Sequence, residues 1–134
     1  MIIVHLMSYL IGVILTAYYS IIPPAEIQPV NESCPALELS MEIHGLPSEQ
    51  FSYIMWRESR CEPDAINPND PNGGSFGLLQ INAIHIKDIQ VRPHLWEGVD
   101  KCQVETVDDL LIAWRNICVA AHLYRHAGID PWKL

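Results

Sequence analysis

The hydrophobic pattern divides the chain near its start. From Ile2 to Ile22 it reads Ile, Leu, Val, Met, Tyr and Ala, interrupted only by isolated His, Ser, Gly and Thr residues and by no formal side-chain charge. That run is long enough to span a bilayer. No Lys or Arg precedes it, and Leu15-Thr16-Ala17 puts Leu where a cleavage site prefers a small residue. Residues 1–25 are therefore expected to be a signal peptide or an uncleaved N-terminal membrane anchor. The amino group and His5 at the start of the run, with Glu26 and Glu32 after it, favour the N-terminus inside and the remainder outside. A polar linker over residues 26–32 then leads to a folded part over 33–134.

Within that part the periodicity turns helical. Ser33 before Cys34-Pro35 reads as a helix N-cap with Pro early in the first turn, and Gly45-Leu46-Pro47 as its stop. A second helix is predicted from Ser48 to Ser59, with Phe51, Ile54, Met55 and Glu58 at i, i+3, i+4 and i+7. Asp64 to Ser75, rich in Pro, Gly and Asn, predicts a folded loop. Phe76 to Asn82 then reads as a short extended segment on which Leu78, Gln80 and Asn82 share one face, turning Gln80 toward a cleft. A last helix carries Ile117, Ala120, Ala121 and Tyr124 at helical spacing; Thr106 and Asp109 resemble a capping box, and Gly128 supplies a stop.

Charge and cysteine content narrow the chemistry. Eight Lys plus Arg against 16 Asp plus Glu give a net charge of −8, and the first cation is Arg57, so the basic footprint of a nucleic-acid binder is missing. Gly73-Gly74-Ser75-Phe76-Gly77 has neither a P-loop lysine nor dinucleotide spacing, so no nucleotide cofactor is expected. Cys34, Cys61, Cys102 and Cys118 all follow the apolar segment and none forms a C-x-x-C pair. Two disulfides of an oxidising compartment are expected, in any of three pairings, each contributing about 2–4 kcal/mol. His122 and His126 stand four apart without the Glu of a zinc-protease helix or an evident third ligand, so they read as a solvated face and no metal is expected.

Glu58 is the residue that points to catalysis. A carboxylate on the core-facing stripe of a helix is misplaced, paired or functional, because removing the charged form from water is costly and drives the pKa of such a group upward, the shift general acids need. Pairing with Arg57 or Arg60 is the plainer account. Helix, polar loop and short strand in this order set one carboxylic acid opposite amide groups that can hold a sugar.

Glu58-Ser59, then Ala65-x-Asn67-Pro68, then Gly74-Ser75-x-Gly77-Leu78-x-Gln80-Ile81 resemble the core of the transglycosylase SLT domain, the lytic transglycosylases and goose-type lysozyme relatives of the lysozyme-like superfamily. The likeness extends more loosely to Asn116-Ile117, the Ala120-Ala121-x-Leu123-Tyr124 helix and Gly128-x-x-Pro131-Trp132. It implies an α+β, predominantly helical lysozyme-like fold with a small extended segment lining the cleft. It also implies an exported or membrane-anchored enzyme that cleaves peptidoglycan strands between N-acetylmuramic acid and N-acetylglucosamine. Glu58 would act as acid and then as base, and Ser75, Gln80, Asn82 and Tyr124 would bind substrate.

A c-type lysozyme shares Gly77-x-x-Gln80-Ile81-Asn82, but carries its second acid where this chain has Ser75. Asp64 and Asp70 remain candidates for positioning a water in a hydrolase. No Ala-x-Tyr-Asn-x-Gly-type segment is present, so Tyr124 has a competing reading as a packing residue. Trp56 and Trp114 read as packing residues, whereas Trp96 and Trp132 are left open. A peptidoglycan-binding module that has lost turnover is the alternative from another class.

Overall fold

The computed structural model describes residues 32–95 and 98–133. The apolar segment from Ile2 to Ile22 and Trp96 lie outside the described residues, among which no helix is long and apolar enough to cross a membrane.

Pro35 begins a 3-10 turn, Pro35–Leu37, which runs into helix α1 (Glu38–Ile43). Its lack of an N–H costs nothing in a first turn. Ser33 is not the cap that the sequence suggested: the turn closes from Leu37 N to Cys34 O, and Cys34 N donates to Ser52 Oγ at 2.7 Å. A bond from the next helix thus replaces the local one. Gly45 ends α1 at φ +75°.

Helix α2 spans Ser48–Ser59, as predicted. Phe51, Ile54 and Met55 form its buried stripe. Arg60 and Cys61 are both left-handed, at φ +58° and +67°, so the helix cannot continue. Cys61 is bridged to Cys34, and Cys102 to Cys118. These are the two disulfides expected, with the pairing now resolved.

The extended segment differs from its prediction. Three two-residue strands, β1 (Ile66–Asn67), β2 (Ser75–Phe76) and β3 (Ile81–Asn82), form an antiparallel sheet in sequence order. Between β2 and β3 the chain reverses through Gly77 and Gln80, at φ +74° and +47°, so Leu78, Gln80 and Asn82 do not share a strand face. Strand alternation fails here because the four residues between the strands are a turn. Leu78 and Leu79 are wholly buried. The register pairs Asn67 with Ser75 and Ser75 with Asn82, forming a polar row across the sheet.

Asn82 caps helix α3 (Ala83–Val91), its Oδ1 accepting from Ile84 N at 3.0 Å. The Thr106–Asp109 capping box is real but serves the 3-10 turn Val107–Leu111. The last helix, α4 (Ala113–Ala127), starts after it and ends at Gly128, φ +59°. Every residue from Asn116 to Leu123 is buried, which makes α4 the central element of the domain. His122 is among them and so is not on a solvated face; His126 is exposed. The ligand atoms of His122, Cys102 and Cys118 lie within 4.8 Å of one another, but both sulfurs are consumed in the disulfide.

Two histidines link this packing to pH. Burial lowers the pKa of His85 on α3, against an opposing pull from Asp88, and burial followed by the Arg125 charge lowers that of His44 after α1. A depressed histidine pKa means that the folded chain binds fewer protons than the unfolded one. The stability gained is full above the ordinary value of 6.5 and is lost as pH falls through the folded value. Urea midpoints are expected to fall between about pH 7.5 and about pH 5.5, and a His44→Gln/His85→Gln pair to flatten that slope.

Candidate active site

Glu58 stands one residue before the end of α2, where the left-handed reversal at Arg60 opens the stripe to solvent. Its side chain is 25% exposed. It lines an open cleft of about 470 Å³ together with Asn67, Asp70, Gln80 and Trp132. The pairing weighed from the helix pattern is present: Arg57 donates to Glu58 Oε1 from Nε at 3.1 Å and from Nη2 at 2.6 Å. Among the described residues no hydrogen bond reaches Oε2.

Gln80 reaches the same cleft from the turn between β2 and β3. Its Nε2 donates to Ala65 O at 3.2 Å and Gly77 O at 2.9 Å. Two carbonyl partners require the amide nitrogen at that end, which leaves Oε1 as the atom available to a ligand.

Ser75 and Asn82 are placed one layer behind. Ser75 is buried, and its hydroxyl donates to Asp70 Oδ2. Asn82 Nδ2 donates to Pro71 O at 2.7 Å. The polar row of the sheet therefore grips the loop that presents Asp70 to the cleft. Asp64 is exposed and does not line it.

Tyr124 is half-buried and meets the Phe51 ring edge-on, with centroids 5.2 Å apart, the geometry of its packing alternative. Trp132 meets Phe51 likewise at 5.1 Å, and its Nε1 donates to Leu79 O at 2.9 Å, so the closing turn Asp130–Trp132 is fastened to the core. Trp56 lies under the Arg60 guanidinium at 3.7 Å, and Trp114 is partly exposed beneath Arg115.

Asn116 is the residue whose importance the sequence reading missed. Wholly buried on α4, it accepts from Leu79 N at 2.9 Å and donates to Phe76 O at 2.9 Å and Leu110 O at 2.8 Å. The signal was available, since an amide one residue before an apolar helical stripe must satisfy its polar atoms somewhere. Gly77 is fixed by the same contact: a Cβ there would collide with Leu110 O and the Asn116 amide.

The family model described as Transglycosylase SLT domain matches residues 38–127. The chain belongs to the transglycosylase SLT family. No curated protein and no solved structure matches it. The fold is the lysozyme-like α+β arrangement expected of that family, helical with a small three-stranded antiparallel sheet. Membership supports a lytic-transglycosylase type of function related to peptidoglycan. Together with the two disulfides it is consistent with an exported protein of the cell envelope. In this SLT domain the matched span runs from the first residue of α1 to the last of α4, so the closing turn that brings Trp132 to the cleft falls outside it.

Proposed function

We propose that this SLT domain cleaves the β-1,4 bond between N-acetylmuramic acid and N-acetylglucosamine in peptidoglycan by lytic transglycosylation, with Glu58 as the single acid and base. The observation that carries the reading is Glu58 at an open cleft that the amide of Gln80 also lines, with Oε2 left for a ligand. Glu58 gives its proton to the glycosidic oxygen as the bond to the muramyl C1 breaks, and the electron pair leaves with that oxygen. The muramyl 6-hydroxyl oxygen then bonds to C1 while its proton passes to the Glu58 carboxylate. A 1,6-anhydro sugar forms without water. Gln80 Oε1 accepts from substrate N–H or O–H groups, and Ser75 and Asn82 act through the loop they hold.

Hydrolysis is the second reading, favoured by one observation: Asp70 lines the same cleft as Glu58 and is oriented by Ser75. A carboxylate there can orient an attacking water. The product mass separates the two. Oxidised protein incubated with purified peptidoglycan is expected to release muropeptides one water lighter than hydrolytic fragments. Fully hydrated fragments would establish the hydrolase and give Asp70 the water. No fragments from folded protein would leave a peptidoglycan-binding module.

A further inference from the structure

Adjacent residues on a helix diverge, and side chains one apart do not normally face each other. Arg57 and Glu58 nevertheless meet through two donors on one oxygen, Oε1. The cause is a third partner. Arg57 Nη2 also donates to the carbonyl of Trp132, in a turn that the family match does not include. Trp132 is itself held by Leu79 O and by the Phe51 ring, so the guanidinium is anchored at a fixed point of the core and draws the carboxylate to it. Arg57, Glu58 and Trp132 all line the cleft.

We propose that Arg57, clasped by the Trp132 carbonyl, is a positioning residue that dedicates Glu58 Oε2 to the transferred proton. The inference rests on the reading of Glu58 as the acid. An oxygen that accepts two guanidinium N–H groups has no room for a proton directed between them, so a protonated Glu58 carries its hydrogen on Oε2. When that proton leaves for the glycosidic oxygen, the new carboxylate charge meets donors already in place, without reorganisation. The returning proton of the sugar hydroxyl lands on the same oxygen. One oxygen thus serves both steps while the other stays tethered.

The test compares wild type, Arg57→Gln, Arg57→Lys and Glu58→Gln on soluble, uncrosslinked peptidoglycan strands, reading kcat and KM separately, with thermal melts alongside. Arg57→Gln is expected to lower kcat by about 10²-fold with little change in KM, the scale of a misplaced reacting group. Arg57→Lys keeps the charge but lacks the planar fork that reaches both Oε1 and Trp132 O, so its kcat should fall between the two. Unchanged kcat in Arg57→Gln, with Glu58→Gln inactive, would overturn the clasp and leave the acid assignment standing. An active Glu58→Gln would overturn both. Should Arg57→Gln fail to fold, Arg57→Lys decides: a kcat equal to that of wild type overturns the proposal.

Discussion

Asn116→Leu is expected to destabilise the domain by roughly 3–6 kcal/mol, enough to leave it largely unfolded, because three backbone groups, two of them buried and one partly buried, lose a partner together. Leucine fills similar space, so the loss is polar. Leu79 N, Phe76 O and Leu110 O each bond the amide of Asn116, which is wholly buried. Asn116→Asp should be no milder, since it retains the acceptor for Leu79 N but sets carboxylate oxygens against two carbonyls. Urea unfolding of the oxidised protein measures both. A loss below about 1 kcal/mol would mean that the turn from Gly77 to Gln80 holds itself and that the amide merely occupies space. The effect extends to the cleft, because Gln80 sits on that turn and bonds Gly77 O.

The two long helices and the candidate acid were legible because they depend on local signals. The 3.6-residue stripe of Phe51, Ile54 and Met55 is a packing pattern that any register error would expose, and α2 accordingly has its predicted ends. Glu58 stood out as the polar member of that stripe. What could not be read were features decided by distant partners. Phe76 to Asn82 has strand-like composition, yet Asn116 and Leu110 draw its middle into a turn with two left-handed residues. Ser33 has the chemistry of a cap, yet Ser52 takes the bond. Arg57 could be suspected as a partner of Glu58, but only the carbonyl of Trp132, 75 residues away, makes the pair directional. His122 reads as solvated from its spacing to His126, yet every residue of α4 from Asn116 to Leu123 is buried, a fact of the helix's central position and not of that spacing. The site residues divide the same way. Glu58 and Gln80 share the cleft wall, whereas Ser75 and Asn82 carry motif chemistry that is spent on holding the Asp70 loop.

Glu58→Gln is expected to cut turnover on peptidoglycan by about 10²–10⁴-fold while binding and stability stay near wild type. The substitution is almost isosteric. A glutamine Oε1 still accepts from Arg57, so the clasp and the helix end persist, but Nε2 in place of Oε2 holds its hydrogens too tightly to give one to a leaving oxygen. Glu58→Asp should be nearly as damaging although it remains an acid, since the shorter side chain, tethered to Arg57, withdraws from the bond by about 1 Å, and misplacement on that scale alone costs about 10²-fold. Turnover, strand binding and melting temperature of the three proteins, measured together, separate chemistry from fold. Lost turnover with retained binding in both variants marks a proton donor whose position matters. Full activity in Glu58→Gln would instead move the chemistry to Asp70, the other carboxylate that lines this cleft.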